Sequence, residues 1–258
     1  MAGLAGRRAL VTGGGRGIGR AVALDLARAG AAVVVAARTR ADVEAVAAEA
    51  RRLGAPAAAL VADVTRPESV REMFGAAREA LGPIDVLVCG AGVAPSATVA
   101  RTTDEQWRAA LDTNLSGCFY CLREALGGMA GQGWGRVVAV ASIAGKTGYP
   151  YVGAYAASKH GVLGLVKCAA LEVAGQGVTV NAVCPGYVDT PMTDVSVARL
   201  AEKTGHPPGD VRRRLEEMSP QKRLFTAEEV SALVLFLCGE QARGITGQAL
   251  SLDGGTLV

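Results

Sequence analysis

Short apolar runs alternating with helix-length segments constrain this chain more than any other feature. The runs fall at 7–12, 32–37, 57–62, 84–92, 135–141, 178–184 and 248–255, and they are dominated by Val, Ala and Leu. Between them lie helical patterns: one from the first glycine cluster to Ala29, then 41–53, 67–81 and 103–130. A segment carrying Tyr155 ends near Ala174, a turn-and-helix excursion occupies 190–218, and a last helix covers 227–238. Pro67 suits the first turn of its helix, and Gly82-Pro83 ends it. Strands that are apolar on both faces must be covered on both sides, which a parallel sheet between helical layers provides. The expectation is α/β: a doubly wound Rossmann-type domain with a seven-stranded parallel sheet and helices on both faces.

The 258 residues carry no Pro/Gly/Ser-rich linker, repeat or low-complexity block, so 1–258 reads as one domain. Half the residues are hydrophobic but only 4% aromatic, which implies an Ala/Val/Leu core. The net charge of +3 is scattered, and the one basic triplet, Arg212-Arg213-Arg214, is followed by Glu216 and Glu217. That pattern is a solvated helix face and argues against a nucleic-acid partner. No apolar run approaches the ~18 residues of a membrane span, and Arg7-Arg8 is not followed by an export signal's apolar region. The expectation is a cytoplasmic protein with no membrane partner. Six cysteines in mostly apolar surroundings fit reduced thiols, and Cys118-x-x-Cys121 lacks the second ligand pair a metal site needs.

Two motifs carry chemistry. Thr12-Gly13-Gly14-Gly15-Arg16-Gly17-Ile18-Gly19 follows the first strand and opens a helix. Glycines there let the backbone approach a pyrophosphate, and the helix start offers unpaired N–H groups. The spacing is T-G-x-x-x-G-x-G rather than G-x-G-x-x-G. Tyr155 and Lys159 are four residues apart, on one face if helical, with Ser142 upstream. Lowering a phenol by ~3 units from ~10 needs about 4 kcal/mol, the size of one cation at ~4 Å in an effective dielectric of ~20. Alone, the pair reads better as part of an ordinary amphipathic helix.

Together, and in this order, the motifs resemble those of the short-chain dehydrogenase/reductase family, over nearly the whole chain from Ala9 to Gly255. Within it, YAASKHG at 155–161 and VCPGYVDTPM at 183–192 look most like ketoreductases of β-keto thioesters, including aromatic polyketide and β-ketoacyl reductases. The resemblance implies that Tyr155 is the general acid or base and that Lys159 lowers its pKa and binds the nicotinamide ribose. It implies that Ser142 donates to the substrate oxygen and that Asn114 holds a water in a proton relay. Asp63 and Val64 would contact adenine, and Pro185, Gly186, Val188 and Thr190 the nicotinamide. The family's usual Asn-Asn-Ala-Gly after the fourth strand is replaced by Cys89-Gly90-Ala91-Gly92. Gly90, Ala91 and Gly92 still allow a close backbone approach to the cofactor, without the asparagine hydrogen bonds.

After the second strand stands Arg38, with no acid before Asp42. A guanidinium there suits a 2′-phosphate, with Arg16 and Thr12 within reach, so NADPH is expected over NADH. Residues 190–218 lie where the family carries a substrate lid. Val93, Ala94, Ala144, Tyr149, Tyr151 and Tyr187, with Ser142, predict an apolar, partly aromatic cleft. The substrate expected is a ketone, as a small molecule or as a thioester on coenzyme A or a carrier protein. Oxidation of a 3-hydroxyacyl or secondary alcohol is the alternative, and a non-catalytic cofactor-binding regulator is another. No metal ligand set is present, and the resemblance implies a homotetramer.

Overall fold

The computed structural model describes residues 3–257. Its seven strands are β1 (Arg8–Thr12), β2 (Ala32–Ala37), β3 (Ala57–Val61), β4 (Val86–Cys89), β5 (Gly135–Val140), β6 (Val178–Pro185) and β7 (Ala249–Leu252). All pairings are parallel, in the order β3-β2-β1-β4-β5-β6-β7, as the alternation predicts. Helices α1 (Gly17–Arg28), α2 (Arg40–Arg52) and α9 (Ala227–Cys238) cover one face, and α3 (Pro67–Leu81), α5 (Gly117–Gln132) and α6 (Gly153–Val173) the other. Alternate strand residues feed the two layers: Leu10 and Leu87 pack on one side, Val11 and Val88 on the other, all fully buried. That two-sided burial is why the strands show no polar alternation.

One element departs from expectation. The single helix expected over 103–130 is instead α4 (Asp104–Ala110), a widened π-helical turn at 111–116, and α5. Thr103 and Gln106 start α4 with a reciprocal capping box. Just after the π turn, Gly117 lies so close to Val64 that a Cβ would stand 2.8 Å from its Cγ2. Such turns concentrate at functional sites, and this one carries Asn114.

Order reverses between β1 and β4, so successive connections leave on opposite faces and a crevice opens at the carboxyl ends of these strands. Over it lies the excursion after β6, made of α7 (Pro191–Thr204) and α8 (Pro208–Glu217). Gly205, at φ +71°, ends α7 and Pro208 begins α8. Val197, Val211, Leu215 and Leu224 give this pair its own small apolar cluster, separate from both main layers. Among the described residues, no helix is long and apolar enough to cross a membrane.

Candidate active site

The crevice is a cleft of about 590 Å³. One end is built by the β1–α1 turn. Gly13 sits at φ +65°, and a Cβ on it would stand 2.7 Å from the backbone of Gly90 and Ala91. A Cβ on Gly19 would collide with the Gly13 carbonyl oxygen. Side chains at these positions would force apart the close backbone packing that gives the turn its shape. Arg16, Gly17, Ile18, Arg38, Asp63 and Val64 line this end, together with Gly90, Ala91 and Gly92. Arg16 and Arg38 form no ion pair among the described residues, whereas Arg40 turns away to Glu44 at 3.3 Å. The residues present therefore fit a phosphorylated dinucleotide.

Thr12 departs from expectation. Its hydroxyl accepts from Gly90 N at 3.2 Å and lies 3.4 Å from the Val88 carbonyl, and the residue is 2% exposed. It ties β1 to β4 and does not line the main cleft, because a threonine at a strand's end is drawn into the neighbouring strand's backbone.

The centre of the cleft is assembled by β5 and α6. Ser142, just past β5, caps a short 3₁₀ turn by accepting from Ala144 N at 3.1 Å. That turn rests directly on α6, where a Cβ on Gly145 would stand 2.9 Å from the Lys159 carbonyl oxygen. Tyr155 and Lys159 share one face of α6, as the i,i+4 spacing predicts. Lys159 is 5% exposed and its ammonium donates to the Val140 carbonyl at 2.7 Å. Loss of hydration pushes it down to about 8 from its ordinary 10.5. Tyr155 moves the other way: burial raises the phenol, and the nearby Ser142 hydroxyl offsets part of that rise. In this arrangement the ammonium donates to the Val140 carbonyl and lies 5.6 Å from the Tyr155 ring centroid.

Asn114 is 2% exposed, and its side chain is fully occupied. Its Oδ1 accepts from Val93 N at 2.9 Å, and its Nδ2 donates to Val93 O at 3.0 Å and to Ser158 Oγ at 2.9 Å. Ser158 in turn donates to the Tyr155 carbonyl at 2.7 Å. The π turn therefore clamps the loop after β4 to the helix bearing Tyr155. Val93, expected in the substrate wall, is turned into this clamp and does not line the cleft. Beside it, Thr12, Asn114 and Lys159 border a cavity of about 10 Å³.

Ala94, Ala144, Tyr149, Tyr151, Pro185, Gly186, Tyr187, Val188 and Thr190 all line the cleft, with Ser142, Tyr155 and Lys159 at its centre. The Tyr149 hydroxyl is buried without a partner, and burial raises both Tyr149 and Tyr187 above the usual phenol value. Pattern reading missed the Val140 carbonyl and Ser158, whose roles depend on which strand end meets which helix turn. It also missed the lid residues Met192, Ser196, Arg199, Leu200, Lys203, Leu215 and Met218. For those on α7, the i,i+3 and i,i+4 spacing of Met192, Ser196, Arg199, Leu200 and Lys203 was the available signal. His160 is exposed, its ring nitrogen at the Ala156 carbonyl, and His206 is exposed in the lid turn. Among the described residues, no group of His, Cys, Asp or Glu could hold a metal.

A glycine-cradled crevice at the sheet's switch point, with a serine, tyrosine and lysine at its centre, defines a dinucleotide-dependent oxidoreductase. A family model described as enoyl-(acyl carrier protein) reductase matches residues 13–256. D-beta-hydroxybutyrate dehydrogenase of Rhizobium meliloti is 37% identical over 257 residues, covering 96% of this chain and 98% of its own. The 3-oxoacyl-(acyl-carrier-protein) reductase FabG of Staphylococcus epidermidis is 36% identical over 250 residues, covering 96% of this chain and 98% of its own. A solved variant of actinorhodin polyketide ketoreductase with NADPH superposes with a TM-score of 0.93 at 37% identity, covering 97% of both chains. The chain belongs to the short-chain dehydrogenase/reductase family of nicotinamide-dependent oxidoreductases.

Proposed function

We propose that the protein is an NADPH-dependent ketone reductase, acting on a β-keto thioester or a related ketone. The observation that carries this is geometric: Ser142, Tyr155 and Lys159 line the same cleft as the glycine turn of Gly13, Gly17 and Gly19. With Lys159 at about 8 and Tyr155 above its ordinary value, the phenol is neutral and the ammonium charged at pH 7. That is the form needed to give a proton to an oxygen receiving charge. A bound nicotinamide supplies the hydride. Ser142 stands where it can donate to the substrate oxygen, Tyr155 delivers the proton, and Lys159 stabilises the phenolate left behind. The cavity beside Lys159 and Asn114, at about 10 Å³, is at the lower limit for one water, which supports reprotonation of the lysine from that side. The Asn114 side chain serves as the clamp.

NADPH preference is supported by Arg16 and Arg38, both unpaired in the cleft wall. Asp42 lines the same corner and opposes added negative charge, but two guanidiniums outweigh one carboxylate. Replacing Arg38 by Asp is expected to lower the NADPH/NADH ratio of kcat/KM by tenfold or more, and an unchanged ratio removes this assignment. The six free thiols suit the reducing cytoplasm. A homotetramer is supported by the family and by an outward strip of α6 with Gly164, Cys168 and Leu171, the last 84% exposed. The apolar residues 154, 156, 162, 163 and 166 of that helix face the chain's own interior.

The test is a panel of acetoacetyl thioesters, bicyclic ketones and 3-hydroxy acids with both cofactors, followed at the reduced-nicotinamide absorbance. Ketone reduction that disappears in Tyr155→Phe while cofactor binding persists is the expected result. Turnover of hydroxy acids alone would establish the oxidative role instead, and no turnover with intact cofactor binding would favour the regulator.

A further inference from the structure

Five cationic side chains line the cleft: Arg16, Arg38, Lys159, Arg199 and Lys203. The first three belong to the nucleotide end and the centre. The other two sit one helical turn apart on α7, so they project from one face of the lid. Neither forms an ion pair among the described residues. Lys203 lies across the mouth from the loop after β4, its Nζ 3.5 Å from the Ser96 carbonyl, and Ser96 lines the opposite wall.

The carboxylates of the cleft are distributed in the opposite way. Asp42 and Asp63, the two acidic lining residues, stand on α2 and after β3, on the far half of the sheet from the lid. The acids of the lid base are tied off: Arg212 holds Asp189 at 2.6 Å, Asp194 at 3.4 Å and Glu216 at 3.6 Å. Glu202 is exposed and does not line the cleft. The substrate half thus carries two cations and no carboxylate, over walls made by Tyr149, Tyr187, Leu200, Leu215 and Met218. A cation at the carboxyl end of α7 also complements the helix dipole, which explains Lys203 alone. It does not explain Arg199, midway along the helix and in the cleft wall.

We propose that Arg199 and Lys203 form an anion subsite that holds a negatively charged group of the substrate. The subsite gives the enzyme a preference for anionic over neutral ketones. This rests on the reading of the cleft as a ketone-reducing site. The anion is either the carboxylate of a free keto acid or the phosphate of a phosphopantetheinyl thioester, and both present oxygens that a guanidinium and an ammonium bind alike. The apolar walls take the carbon skeleton between that anion and Ser142.

The test compares acetoacetate, acetoacetyl-coenzyme A and the neutral ethyl acetoacetate in the parent and in Arg199→Ala/Lys203→Ala. The ratio of kcat/KM on an anionic substrate to that on the neutral ester is expected to fall roughly tenfold, as for two exposed charge contacts. The fall should lie in KM, shrink at high salt, and be absent from Arg199→Lys/Lys203→Arg, which keeps both charges. A fall confined to acetoacetate identifies the carboxylate as the ligand, and one confined to the coenzyme A thioester identifies the phosphate. An unchanged ratio overturns the proposal, and so does a matching rise in the KM for NADPH, which would assign the cations to the cofactor. Should the parent reduce none of the three, ketone reduction itself fails, and calorimetric binding of acetoacetate and pantetheine 4′-phosphate decides the subsite separately. A tenfold weaker affinity of either in the double alanine variant sustains it, and equal affinities end it.

Discussion

Lys159 is an ammonium kept in the interior, and its cost can be read from pH. Its ordinary value of 10.5 falls to about 8 in the folded protein, chiefly through lost hydration. Between those values the unfolded chain binds more protons than the folded one, so stability rises with pH across that window. That fall corresponds to roughly 3 kcal/mol of destabilisation at pH 7, falling to about 1 kcal/mol at pH 9.5. Lys159→Met keeps the aliphatic stem and removes the charge. It also leaves the Val140 carbonyl without its 2.7 Å donor, at a cost of about 1 kcal/mol. The variant is therefore expected to be inactive yet about 2 kcal/mol more stable than the parent at pH 7, and nearly equal to it at pH 9.5. Urea unfolding of both apo proteins, at one protein concentration and at the two pH values, measures this. A parent–variant gap that does not close with pH would refute the reasoning, as would a variant less stable at pH 7.

Two further substitutions test the frame around the site. Gly19→Ala places a methyl against the Gly13 carbonyl, so the turn must open; the KM for the reduced cofactor is expected to rise at least tenfold, and an unchanged KM would show that the cradle has slack. Asp85, 2% exposed, accepts from Arg8 N at 2.9 Å, Nε at 2.6 Å and Nη2 at 3.0 Å, and faces Arg7 at 3.5 Å. Asp85→Ala strands that partly buried guanidinium and is expected to cost about 3 kcal/mol, a fall in Tm of roughly 6–12 °C by calorimetry, with kcat nearly unchanged because the cluster lies at the opposite end of the strands.

The sheet was legible because a parallel sheet covered on both sides makes most strand positions apolar, and Val33 to Val35, fully buried, show that constraint residue by residue. Tyr155 and Lys159 were legible as neighbours because helix geometry alone brings them together. What could not be read was the direction in which each is tuned. The i,i+4 spacing says that an ammonium is near a phenol. It does not say that the Val140 carbonyl, nineteen positions earlier on another element, takes the ammonium's hydrogen bond. The close packing of Gly117 on Val64, just after the π turn, was hidden for the same reason: it is a contact between segments 53 residues apart.

The altered segment after β4 shows how such long-range contacts change the meaning of a local departure. Read as sequence, Cys89-Gly90 in place of two asparagines is a loss of side-chain hydrogen bonds. In the fold, Cys89 is 7% exposed and packs with Cys118 and Cys121 in the core beneath Lys159. Gly90 crosses so near β1 that a Cβ there would stand 2.8 Å from the Thr12 carbonyl oxygen. Its N–H instead donates to both oxygens of Thr12, at 3.1 and 3.2 Å. An asparagine at position 90 would have to push the two strand ends apart. Where the familiar motif offers side-chain hydrogen bonds, this chain holds the two strand ends together through the Gly90 N–H, and the threonine expected to reach for the cofactor is the residue that accepts it.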